Sequence, residues 1–129
     1  MDDTLRLQSC IDACNACATA CSHCATACLK EADVAMMARC IALDLDCAAI
    51  CQLAAAAMAR SSENMHLFCS LCEQICQQCG DECARHQHPH CQACAEACRR
   101  CAEACRRMSS DATPPARTAA GGPAAYTRQ

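Results

Sequence analysis

Cysteine recurs in this chain at steps of three, four and seven residues, and that spacing constrains the fold more than any other feature. One run reads Cys10, Cys14, Cys17, Cys21, Cys24 and Cys28, and a second Cys40, Cys47 and Cys51. A third reads Cys69, Cys72, Cys76, Cys79 and Cys83, and a fourth Cys91, Cys94, Cys98, Cys101 and Cys105. Alternating threes and fours keep a residue type on one stripe of an α-helix, the seam of a heptad repeat. Four segments sharing one period predict an all-α chain folded as a four-helix bundle with a cysteine-lined core.

Helix punctuation places the elements over 4–30, 33–60, 62–86 and 89–108. Asp33 suits the N-cap of the second, Ser61 or Ser62 that of the third, and Pro89 the first turn of the fourth. Connections this short favour antiparallel neighbours, so the expected topology is up-down-up-down with a slight left-handed supercoil. Residues 4–108 then make one domain. From 109 to 129, Ser, Thr, Pro, Gly and Ala dominate without periodicity, which reads as a flexible C-terminal tail. Gly80 costs about 1 kcal/mol of helix propensity but breaks no seam position.

Antiparallel alternation lets the seams be stacked into layers. Cys28, Met37, Cys83 and Cys91 form the first, followed by Cys24, Cys40, Cys79 and Cys94, then Cys21, Asp44, Cys76 and Cys98. Next come Cys17, Cys47, Cys72 and Cys101, then Cys14, Cys51, Cys69 and Cys105. A sixth layer holds Cys10, Ala54, Met65 and Met108, with Leu7 and Met58 closing that end. Aromatic filler is nearly absent, with one Phe, one Tyr and no Trp, so alanine and cysteine must supply the interior.

Cysteine at 19 of 129 residues exceeds the roughly 8–10% that marks a disulfide scaffold in a short secreted chain. Three features argue against disulfides. The N-terminus, Met1-Asp2-Asp3-Thr4, is acidic and leads into no apolar run, so a reducing cytosol is the expected address, a cytoplasmic location. An odd number of cysteines cannot pair completely, and neighbours three or four apart on one helix gain little from a bridge. No apolar stretch approaching the ~20 residues of a bilayer span is read, and a net charge of -3 gives no reason to expect nucleic acid or a membrane surface. The partner should be small.

Cysteine is also an ordinary small core residue. Eighteen cysteines in five consecutive layers exceed that role, since Leu, Ile and Val pack a bundle better and do not oxidise. Sulfurs four apart on a helix can lean together on one ion, and eight such pairs occur, from Cys10/Cys14 to Cys101/Cys105. Thiolates suit Cu(I), Zn(II) and iron–sulfur clusters, but Zn(II) wants four tetrahedral ligands whereas Cu(I) accepts two or three. Multiple Cu(I) ions are therefore the expected ligand. A metallothionein-like zinc or cadmium buffer is the alternative, although metallothioneins lack sustained helical periodicity. An iron–sulfur electron-transfer protein is a further one, but no cysteine here precedes proline as in ferredoxin runs. Saturation with identical ligands leaves no distinct acid, base or nucleophile, so an enzyme is not expected.

Other candidate ligands cluster at one end. His86, His88 and His90 share the turn between the third and fourth helices with Met36 and Met37, where imidazole and thioether can pass a soft cation inward. His88, His90 and Met37 join the nineteen cysteines as candidate metal residues. So does Asp44, an acid on a seam that must find a donor, a metal or a protonated state if buried.

These residues resemble the four-helix-bundle copper storage protein family, cytosolic branch, over about Thr4 to Met108. The motifs are individually weak and collectively specific, because the spacing recurs on four segments. The resemblance implies storage of many Cu(I) ions on thiolates, delivery through one bundle end, a copper donor or acceptor as partner, and assembly of identical bundles into a homotetramer.

Overall fold

The computed structural model describes residues 3–110, the backbone alone at Ser110. Four α-helices run in sequence: α1 Asp3–Leu29, α2 Ala38–Ala59, α3 Met65–Ala84 and α4 Pro89–Ser110, with a 3-10 turn at Val34–Met37 leading into α2. Each helix packs on two neighbours: α1 on α2 and α4, and α3 on α2 and α4. The diagonal pairs stay farther apart in backbone and meet through side chains on the axis, as Cys21 of α1 meets Cys79 of α3 at 4.0 Å. That square, closed by short turns, is the up-down-up-down bundle the spacing predicts. The expected tail lies, from residue 111 onward, outside the described residues.

The core follows from the seams. All nineteen cysteines are buried and free. A second set of small residues, including Ala18, Ala48, Ala55, Ala95 and Ala102, fills the lines where helices touch. Alanine lets the backbones approach, and the approach brings sulfurs from different helices within van der Waals reach. At Gly80 the spacing is tighter still, since an added Cβ would lie 3.1 Å from the Cys98 Cβ on α4. Ile11, Leu43, Ile50, Phe68 and Ile75 pack against this core from the flanks. Leu71 is exposed.

Two helix starts differ from expectation. Asp33 precedes the 3-10 turn without capping it through its side chain; its carboxylate accepts from His88 instead, at 3.1 Å. Ser62 does not cap α3, which begins after Asn64. Its hydroxyl accepts the Asn64 backbone N–H at 3.0 Å, organising the turn. Ser61 ends α2 with φ 53°, a left-handed position usually given to glycine. Its N–H reaches the Met58 carbonyl at 3.2 Å and the Ser62 N–H the Ala57 carbonyl at 2.8 Å, the paired bonds of a Schellman motif.

The stretch Val34–Ala59 is long and apolar enough to cross a bilayer by length and composition, contrary to the reading that no such run exists. Half of its most apolar window is buried inside the bundle, and Asp44 lies fully buried within it. Alanine and cysteine make this helix apolar because both its seam and its flanks are core.

Candidate metal centre

The sulfurs form one near-continuous column along the bundle axis. Starting from Cys40, contacts pass to Cys83 at 3.5 Å, Cys79 at 3.9 Å and Cys21 at 4.0 Å. Cys21 meets Cys94 at 3.5 Å and Cys17 at 3.9 Å. Cys17 touches Cys47 at 3.7 Å, Cys47 touches Cys76 at 3.5 Å, and Cys76 touches Cys51 at 3.7 Å. From Cys51 the path runs through Cys72 (3.6 Å), Cys101 (3.9 Å), Cys14 (3.6 Å) and Cys105 (3.7 Å) to Cys10 (3.8 Å). Quartets such as Cys14, Cys72, Cys101 and Cys105 hold all four sulfurs within 4.8 Å of one another.

The layering differs from the sequence arithmetic between the α1–α2 pair and the α3–α4 pair, Cys17 meeting Cys76 and Cys21 meeting Cys79. Each α2 residue meets the α3 and α4 residues assigned to a layer nearer the histidine end. Cys40 pairs with Cys83, Asp44 with Cys79 and Cys94, and Cys51 with Cys72 and Cys101. Within the α1–α2 pair the expected register holds, Cys17 meeting Cys47 at 3.7 Å, so the offset goes with the α2–α3 connection. The spacing leaves one residue between the second and third helices, whereas α2 ends at Ala59 and α3 begins only at Met65. Met37, fully buried, ends the 3-10 turn beyond Cys40.

Asp44 occupies a seam position inside the column with no exposed surface. Rotation toward solvent, one way such an acid escapes burial, does not occur. The thiols of Cys79, Cys94 and Cys83 donate to its Oδ1 at 3.2, 3.3 and 3.4 Å. Burial, with sulfurs rather than cations around it, pushes its carboxyl up to about 10, so at neutral pH the empty site holds a carboxylic acid. Burial likewise raises the thiols of Cys28, to about 11, and Cys91. Both thiols hold their protons at neutral pH.

The histidine end divides the predicted ligands. His90 is 11% exposed and turns Nδ1 onto Cys24, Cys91 and Cys28 at 3.6, 3.6 and 3.9 Å. Its Nε2–H donates to Glu31 at 2.8 Å, which fixes the tautomer and leaves the Nδ1 lone pair facing sulfur. His88 stacks on His90 with ring centroids 5.3 Å apart but binds Asp33, and no sulfur contact is made. His86 donates to Glu82, which also takes Arg39 of α2 at 2.9 Å. These partners hold the Glu82 carboxyl below the usual range, the His86 bond being the largest cause. Met36 is exposed at the rim. At the opposite end, His66 donates to the Met108 carbonyl at 2.9 Å beside a 220 Å³ cavity lined by Leu7, Met65 and Met108.

Glu31 and Glu82 escaped the sequence reading. His86 follows Glu82 by four residues, a spacing that could have revealed the pair. Glu31 stands 59 residues from His90, and no local pattern joins them.

The family model for copper storage proteins matches residues 3–110. A solved Cu(I)-bound copper storage protein of Bacillus subtilis is 50% identical, with a TM-score of 0.78 over 81% of this chain and 98% of that one. A cytosolic copper storage protein of Streptomyces lividans, solved with five coppers, is 41% identical, with a TM-score of 0.80 over 84% of this chain and 95% of that one. A curated cysteine-rich protein of Bacillus subtilis, YhjQ, described as uncharacterized, is 53% identical over 53 residues. That match spans 41% of this chain and about half, 49%, of YhjQ.

Proposed function

The chain belongs to the copper storage protein family, and from that footing we propose that it stores many Cu(I) ions on the cysteine thiolates inside its bundle. The observation that carries the reading is the column of sulfurs, with successive contacts of 3.5–4.0 Å drawn from all four helices. A soft, low-coordinate ion needs only two or three such neighbours.

Charge favours a monovalent ion for a store of this depth. Burial keeps the proton on Asp44 and on the thiols of Cys28 and Cys91, and each Cu(I) that displaces one thiol proton leaves the local charge unchanged. Capacity can then approach the cysteine count and exceed the eight i,i+4 pairs. A zinc or cadmium buffer filling the same quartets would leave each four-thiolate site at -2, and repeated along a buried column this becomes costly.

His90 is proposed as the inward-facing ligand at the mouth, with buried Met37 as a further ligand at that end and His88 holding the outer rim. Asp44 is proposed as an oxygen donor in the middle of the column once loading displaces its proton. No catalytic step is assigned. The cytosol is the proposed location, by analogy with the Streptomyces protein. Exposed Leu5, Leu29, Leu45, Leu53 and Leu67 support assembly of identical bundles, proposed as a homotetramer. A copper donor or acceptor protein would dock at the histidine end.

The test is anaerobic titration of the reduced, metal-free chain with Cu(I) against a chromogenic chelator. Binding of more ions than the eight pairs supports storage. Saturation at two or three equivalents refutes it.

A further inference from the structure

We propose that the histidine end is also a preformed tetrahedral site for one divalent zinc-type ion, built from Cys24, Cys28, Cys91 and His90. This goes beyond copper storage, because the geometry suits a four-coordinate ion of different charge. The three sulfurs lie 3.9 Å (Cys24–Cys28), 3.8 Å (Cys24–Cys91) and 3.8 Å (Cys28–Cys91) apart. His90 Nδ1 caps that triangle at 3.6, 3.9 and 3.6 Å from Cys24, Cys28 and Cys91. A tetrahedron with Zn–S bonds of about 2.3 Å and a Zn–N bond of about 2.05 Å has S···S edges of about 3.8 Å and S···N edges of about 3.6 Å. All six edges agree with those lengths to within a few tenths of an ångström.

The surroundings have the other features of a closed zinc site. The Nε2–H of His90 is held by Glu31 at 2.8 Å, the carboxylate–histidine arrangement that orients a ligating imidazole and raises its basicity. The sulfurs come from two helices, two from α1 and one from α4, and His90 adjoins Cys91 in the first turn of α4. Cys40 lies within 4.8 Å of the same three sulfurs and is the competing fourth ligand. Charge favours the imidazole. A divalent ion that displaces three thiol protons and takes a neutral imidazole leaves a net charge of -1, against -2 for any all-cysteine quartet deeper in the column.

Occupancy here has a consequence for the store. An ion bridging α1 and α4 at the mouth plugs the column while it is empty of copper, and Cu(I) must displace it to pass. The softer ion prefers the thiolates, so the plug yields to copper and not to hard cations.

The experiment uses the full, reduced, metal-free chain titrated with Zn(II) against a chromogenic chelator, and with Co(II) as a visible probe of coordination. The expected result is one tight equivalent with the intense d–d bands of tetrahedral cobalt. His90→Ala and Glu31→Gln should each weaken that equivalent by about tenfold or more. Glu31 lies in the turn after α1, outside every helix, so its variant keeps the bundle and far-ultraviolet circular dichroism verifies this. A pale octahedral cobalt spectrum, or a first equivalent held equally tightly in both variants, overturns the proposal. Cu(I) capacity measured on the same samples separates the two readings. Full copper capacity without a tight zinc equivalent overturns this site alone, whereas a tight zinc equivalent with little copper bound supports it and overturns storage.

Discussion

Replacing Asp44 by asparagine should make the metal-free protein more stable at neutral pH, although Asp44 accepts four hydrogen bonds from thiols. In the unfolded chain an aspartic acid loses its proton near pH ~3.9. In the fold, burial among thiols raises this one to about 10. Between those values the folded state binds one more proton than the unfolded state, so stability falls as pH rises, by about 1.4 kcal/mol per unit. The contribution is fully present below pH ~3.9 and is lost progressively up to about 10. From about pH 5 to about pH 7.5 the loss amounts to ~3 kcal/mol. An asparagine side chain at this position has the same shape and no proton to lose, so this slope should vanish. That window also stays below the unfolded thiol pKa of ~8.5, and the histidines, common to both proteins, cancel in the difference. The assay is equilibrium urea denaturation of reduced, chelator-treated protein at half-unit pH steps, wild type against Asp44→Asn. Parallel stability profiles for the two proteins would refute the reasoning, because they would mean that Asp44 is charged in the folded core.

Two other substitutions test the frame around the column. Glu82→Gln leaves Arg39 and His86 with a weaker acceptor and should cost about 1–3 kcal/mol in denaturant melts. Because the Glu82 carboxyl is held below its usual value, the lost stabilisation is the part present above pH ~4.3. Wild type and variant should therefore converge as acidification passes the folded pKa of Glu82. Ser61→Gly relieves a left-handed backbone position in an intact Schellman turn and should raise stability by roughly 1 kcal/mol. A lowered melting temperature would show that the Ser61 side chain has a role the backbone does not reveal.

The column was legible in the sequence because its signal is local. Threes and fours between cysteines determine a helix face regardless of what packs on it, and four such faces leave one way to hide them. The register of the α1–α2 pair against the α3–α4 pair was not legible. It goes with the turn between Ala59 and Met65, whose length no cysteine spacing announces. The same limit explains the histidines. His86, His88 and His90 look equivalent in sequence, two residues apart, yet only His90 faces sulfur. Helix α4 begins at Pro89 and aims the following side chain at Cys24 and Cys28, while His88 remains outside the helix and finds Asp33. Asp44 stood out as an acid on a seam, but whether it turned inward depended on neighbours from α3 and α4.

Storage on the sulfur column requires that Cu(I) fill the interior of this bundle along its axis. A crystal structure of the anaerobically loaded chain, with anomalous difference maps recorded on either side of the copper edge, tests it directly. A row of more than eight copper peaks is expected between the four helices, running from the Cys24/Cys28/Cys91 end toward Cys10, each within bonding distance of two or three sulfurs. Copper confined to surface histidines, or a column left empty at full loading, would contradict it.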